Sequence, residues 1–155
     1  MHQKSLYERQ RMMQQGYRHT QTGYVTLVAH GAGVMLLGGA MLSGLLHWTL
    51  IVTFLMLVVS GVLFASLTVE VREGYVQWYF GPGFWRKRIA LQDINATELV
   101  VNPWYYGWGI RYTPHGWLYN VSGLLALQIQ LNNGTTLRIG SDRPHELQQA
   151  IQPFL

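Results

Sequence analysis

Residues 19–69 read HTQTGYVTLVAHGAGVMLLGGAMLSGLLHWTLIVTFLMLVVSGVLFASLTV, 51 residues without an Asp, Glu, Lys or Arg. A membrane-crossing helix needs about 20 mostly apolar residues, so the run suffices for two. The natural break is Gly44-Leu45-Leu46-His47-Trp48, where His47 is polar and Trp48 suits a membrane–water interface. The expected spans are roughly 24–45 and 48–68, joined by a few residues and therefore antiparallel neighbours. The first is rich in small residues (Gly31, Gly33, Gly38, Gly39, Gly44), which let helix backbones approach closely in lipid. The second is bulkier and β-branched. A buried hairpin in a soluble protein, uncharged on every face, would need a far larger protein around it than 155 residues provide.

The rest of the chain sharpens this reading. All 18 charged residues lie outside the run, and they make only 12% of the chain, where soluble domains carry about 25%. Residues 1–18 hold Lys4, Arg9, Arg11 and Arg18 against Glu8, and Arg72 and Arg86-Lys87-Arg88 follow the run, while the loop between the spans has no Lys or Arg. The positive-inside rule then places the protein in the cytoplasmic (inner) membrane as a multi-pass protein with both termini cytoplasmic. The excess charge flanks the apolar run instead of spreading over a nucleic-acid-sized face, so the bilayer, not a nucleic acid, is the expected partner. Segment 1–23 is expected to be a basic tail or an interfacial helix. His30, inside the first span, is expected to bond a backbone carbonyl or the neighbouring helix, there being no carboxylate in either span to relay a proton.

Residues 69–155 alternate as strands. Thr68–Arg72 and Tyr75–Phe80 flank Glu73-Gly74; Gly81-Pro82-Gly83 breaks the chain before Phe84–Ile89; Ile94–Val101 follows. Trp108–Thr113 and Trp117–Val121 flank Pro114-His115-Gly116, and Leu127–Leu131 and Leu137–Ile139 flank Asn133-Gly134, a two-residue hairpin signal. Ser141-Asp142 offers a helix N-cap, and Leu147, Ala150, Ile151 and Phe154 form the apolar stripe of a short closing helix.

The stretches WGIRYTPHGWLYNVSG (108–123), LQIQLNNG (127–134) and LRIGSD (137–142) resemble the bacterial PH-like (pleckstrin-homology-like) membrane proteins that carry a two-helix membrane hairpin. The resemblance implies an α+β membrane protein: a two-transmembrane-helix hairpin over 24–68, then a cytoplasmic PH-like antiparallel β-barrel or sandwich of about seven strands with a C-terminal α-helix over 69–155. It implies a binding role and brings no shared catalytic motif.

The residues themselves offer no enzymatic constellation. Without cysteine there is no disulfide, thiolate metal site or Cys nucleophile. Asp142, His145 and Glu146 cluster at a helix start, where carboxylates suit the helix dipole, and no glycine-rich phosphate loop occurs. No catalytic residue, metal or cofactor is expected. Two features point to contacts. Trp85, Arg86, Lys87 and Arg88 combine three cations with an aromatic and are candidates for anionic lipid headgroups, the alternative being a solvated strand with Arg86 and Arg88 on one face and Lys87 on the other. Trp104, Tyr105, Tyr106 and Trp108 are either packing for the sheet or an exposed platform for a partner or interfacial lipid. The expected function is a membrane-anchored, non-enzymatic binding or scaffolding module, possibly homo-oligomeric. The alternative is an accessory subunit of a larger membrane transporter or envelope enzyme complex.

Overall fold

The computed structural model describes residues 16–45 and 47–155. The chain enters as strand β1 (Tyr17–Thr22) and leaves at once into two helices, α1 (Tyr24–Leu42) and α2 (Trp48–Leu63). It returns as β2 (Ser66–Arg72), β3 (Tyr75–Phe80) and β4 (Arg86–Ala90), which complete an antiparallel sheet in the order β1-β2-β3-β4. Strand β5 (Ile94–Val101), the hairpin β6 (Gly109–Thr113) and β7 (Gly116–Asn120), and the hairpin β8 (Leu125–Leu131) and β9 (Thr136–Gly140) form a second sheet, ordered β5-β8-β9-β7-β6. Helix α3 (Pro144–Ile151) closes the described chain before a last 3-10 turn.

The fold is α+β, with a C-terminal helix, as expected, but it is not a closed barrel. Among the described residues no ladder joins the two sheets, which instead share one core. Leu67, Val69, Val71 and Trp78 supply one wall, Val121, Leu127, Ile129 and Ile139 the other, and Leu147 and Ile151 of α3 fill the end. The described residues form nine strands: β1, and the eight strands β2–β9 where about seven were expected; β7 runs parallel to β9, with Trp117 opposite Leu137 and Tyr119 opposite Ile139. After β7 the chain turns back through residues 121–124 and skips one strand position, which β9 then fills; a strand returning to that slot from β8 is necessarily parallel to β7.

Strand β1 was not among the elements expected, since segment 1–23 reads as a tail or interfacial helix; residues 1–15 lie outside the described residues. Tyr17-Arg-His-Thr-Gln-Thr has no apolar alternation, and its pairing with β2 is what orders it, from Tyr17 opposite Val71 to Thr22 opposite Ser66. Side chains lock the match: Arg18 pairs with Glu70 at 3.2 Å, Thr20 meets the Thr68 hydroxyl at 2.9 Å, and His19 bonds Asp142 before α3. Asp142 is thereby drawn away from the role expected of it. Helix α3 has Arg143 at its N-cap position and no side-chain cap, while the Arg143 amide donates to Ser141 Oγ.

Burial, then the nearby Glu146 and Asp142 charges, push the Tyr17 phenol up to about 12 from 10.0. The folded state therefore favours the neutral phenol. Its contribution is complete below pH 10 and is lost as pH rises towards 12, where the unfolded chain ionises first. The thermal midpoint of the wild type should fall more steeply between pH 10 and 12 than that of Tyr17→Phe; parallel curves would deny Tyr17 this role.

The helices pack as a smooth surface against a bulky one. A side chain at Gly33 would overlap Leu57, and one at Gly61 would press on His30. His30 bonds Thr26 O through Nδ1 at 2.8 Å and Ser60 Oγ through Nε2 at 3.0 Å, so it joins a backbone carbonyl and the neighbouring helix together. Both helices are shorter than expected. Helix α1 stops at Leu42, before Gly44, whose φ of +95° leaves the helical region. Helix α2 stops at Leu63 because Ser66–Thr68, expected inside the second span, pair with β1 and β3. Helix α1, with 19 residues, is long and apolar enough to cross a membrane; α2 is the more apolar of the two but has 16 residues.

The turns follow the backbone. Glu73 (φ +53°) and Gly74 (φ +81°) both adopt the left-handed conformation that a two-residue primed turn demands. Asn133 does not, so the last hairpin is not the two-residue turn its Asn-Gly suggests. It is a three-residue loop, 132–134, with Gly134 left-handed (φ +83°) and bonded to Leu131 O.

Candidate functional site

The open corner of the sandwich lies between β3–β4 of one sheet and β6–β7 of the other, against the end of α2. Gly81 places it there. A Cβ at Gly81 would lie 2.6 Å and 2.7 Å from the Val62 and Leu63 carbonyl oxygens, so only glycine lets the β3–β4 turn dock directly on the last turn of α2. Phe64 then meets Phe80 edge-on at 5.3 Å, and the turn projects Phe84 and Trp85 outward, 85% and 75% exposed.

Between these walls runs an apolar groove of about 510 Å³, lined by Leu63 of α2 and Phe64 at its C-cap, from the first sheet by Trp78, Phe80 and Lys87, and from the second by Ile110, Trp117 and Tyr119. Register explains the second wall: Ile110 is opposite Tyr119 and Tyr112 opposite Trp117, so these four share one face of the β6–β7 hairpin. Among the described residues, Lys87 is the only charged one lining the groove. Its Nζ donates to the Tyr119 hydroxyl at 2.9 Å and lies 5.3 Å and 5.7 Å from the ring centroids of Tyr119 and Trp117.

The candidate basic cluster is thus divided by the strand's two-residue period. Lys87, opposite Trp78, takes the groove side. Arg86 and Arg88 take the other, stacking on Tyr79 and Tyr75 at 4.6 Å and 5.2 Å. There they share a shallow pocket with Glu70, Glu73, Arg72 and Gln77, a surface of mixed sign. Tyr79 and Gln77 also donate to the Glu70 carboxylate, at 3.1 Å and 3.4 Å.

The candidate aromatic patch is divided too. Trp104, Tyr105 and Tyr106 form a 3-10 turn beside the second sheet. Trp104 and Tyr105 are 74% and 68% exposed, whereas Tyr106 and Trp108 are half-buried. Trp108 is tied to Gly123 O through Nε1 at 3.2 Å. The turn hangs from Asn102, whose Oδ1 accepts from buried Arg138 at 2.9 Å; Arg138 Nε in turn donates to Gln128 Oε1, and Gln128 Nε2 to Glu98. Burial pushes the pKa of the Arg138 guanidinium down from its ordinary value.

Among the described residues no three His, Cys, Asp or Glu side chains converge as metal ligands; Asp142 bonds His19 and Glu146 pairs with Arg143. No family model matches the chain, and comparison with curated proteins and with solved structures returned no match. The groove itself was not foreseen. One signal pointed to it: in the alternation of 85–89, Lys87 occupies the same phase as Trp85 and Ile89, a cation where the pattern asks for an apolar side chain.

Proposed function

We propose that the protein is a membrane-anchored, non-enzymatic binding module whose α1–α2 hairpin crosses the cytoplasmic membrane twice and holds a PH-like β domain against the inner leaflet. The observation that carries this is the hairpin's surface. No α1 residue is buried and only Gly61 of α2 is, and Val28, Met35, Leu36, Leu42, Leu55 and Met56 stand exposed around both helices. Water is a poor solvent for such a surface and lipid a good one. Helix α1 spans about 28 Å and α2 about 24 Å, against a hydrocarbon core of about 30 Å, so local thinning and interfacial side chains such as Trp48 accommodate the difference.

Strand pairing supports an even number of crossings: β1 precedes the hairpin, β2 follows it, and the two are hydrogen-bonded neighbours, so both flanks lie on one side. Two sheets over one core, closed by a C-terminal helix, accord with the PH-like resemblance, whose stretch 108–123 forms the β6–β7 hairpin; the extra strand β1 and the parallel β7–β9 pairing depart from it. A second reading, an accessory subunit or a self-associating anchor, is favoured by Gly31 and Gly39, which have nothing within 4 Å of where a side chain would stand and so leave bare backbone for another helix.

Alkaline carbonate washing should leave the chain in the membrane pellet, and protease added outside intact cells should spare residues 70–155. Release into the wash would remove the anchor; digestion from outside would reverse the orientation.

A further inference from the structure

We propose that the groove holds one anionic lipid of the adjoining leaflet, its acidic headgroup on Lys87 Nζ and its acyl chain running along Phe80, Phe84 and Leu63 towards the bilayer. The inference rests on the membrane-anchor reading above. The volume of about 510 Å³ lies within the roughly 300–1,000 Å³ of small-ligand sites. One wall is the last turn of α2, so the groove opens onto the same apolar surface that the hairpin presents to lipid. Phe84 and Trp85 stand exposed at the rim, at the level of the helix end, where aromatic rings belong at a membrane interface.

Charge decides the class of lipid. The Lys87 ammonium has three donors; one is given to the Tyr119 hydroxyl, and no carboxylate forms a salt bridge with it among the described residues. A neutral chain would not need a cation inside an apolar cleft, and a soluble anion would not need aromatic walls. An anionic amphiphile uses both. Arg86 and Arg88, beside the Glu70 carboxylate on the opposite face, take no part.

The full-length protein in mild detergent, offered phosphatidylglycerol or phosphatidylcholine, tests this by native mass spectrometry. The wild type should retain one phosphatidylglycerol in preference to phosphatidylcholine. Lys87→Gln should lower that retention about tenfold, the loss of one charge-assisted hydrogen bond, while Lys87→Arg and the Arg86→Gln/Arg88→Gln pair keep it. Phosphatidylglycerol with a photoreactive acyl chain should label peptides carrying Phe84, Ile110 or Trp117. Equal retention of the two lipids, retention indifferent to Lys87→Gln, labelling confined to α1 and α2, or crosslinking of the rim to a second copy of the chain would each overturn the site. Should Lys87→Gln melt early, Lys87→Arg and the labelling map still decide. Carbonate washing separates the two proposals: a chain that stays in the membrane but binds lipid without regard to Lys87 loses only the lipid site.

Discussion

Gly116→Ala is expected to destabilise the β domain more than any other single methyl addition. Gly116 opens β7 at φ +90°, and a Cβ there would fall on the backbone carbonyl of Thr136 at the start of β9. The left-handed conformation costs an alanine about 1–2 kcal/mol, and forced overpacking adds about 1–3 kcal/mol. The obstacle is a backbone carbonyl in the parallel β7–β9 pairing, not the far end of a side chain that could swing aside, so the cost falls at the upper end of that sum. Against a total stability of about 5–15 kcal/mol this is a large fraction. Thermal unfolding followed by circular dichroism, with Gly134→Ala beside it, measures the difference. Gly134 has a similar φ of +83° but nothing within 4 Å, so its alanine variant should lose only the conformational part. Equal shifts for the two variants would mean that β7 and β9 approach less closely than described.

Arg138→Met should cost about 2–4 kcal/mol. Arg138 is buried on the outer face of the second sheet with two hydrogen bonds, to Asn102 and Gln128, and among the described residues no carboxylate forms a salt bridge with it. Methionine preserves most of the volume and removes a charge that is expensive to bury, which tempers the loss. What it leaves behind is worse. The buried Asn102 amide already has Nδ2 without a partner among the described residues and would lose the bond at Oδ1 as well. The effect should reach the Trp104–Tyr106 turn, which hangs from Asn102, as faster proteolysis there than in the wild type. Asn102→Ala and the double variant complete a cycle; a coupling near zero would show that the guanidinium does not hold this loop.

Much of the sheet was legible because it is written locally. Ile94–Val101 is a strand over the residues its alternation marks, and Leu127, Ile129, Leu137 and Ile139 turn to the core as their period of two requires. What escaped was set by residues far apart. Tyr17–Thr22 reads as polar tail because its order comes from Ser66–Arg72, beyond both helices. The cap at α3 was misassigned because Asp142 answers to His19. The separation of Lys87 from Arg86 and Arg88 was readable as an alternative, since a strand's period demands it. That Lys87 faces Trp117 and Tyr119 was not, because nothing near residue 87 indicates which strand of the second sheet lies opposite.

The pairing of β1 with β2 also bears on how the molecule is made and dissected. Synthesis delivers β1 before the helices, but its only neighbour among the described strands appears after both of them. Pairing of β1 with β2 must therefore wait until both helices and β2 have been made. The same dependence governs any attempt to work with the β domain by itself. A fragment begun at residue 69 would cut β2, which starts at Ser66, and discard β1, baring a row of unpaired backbone groups of the kind that recruits foreign strands. A workable version of the β domain alone would keep residues 17–22 and replace the helices by a short turn between Thr22 and Ser66, whose backbones already lie side by side.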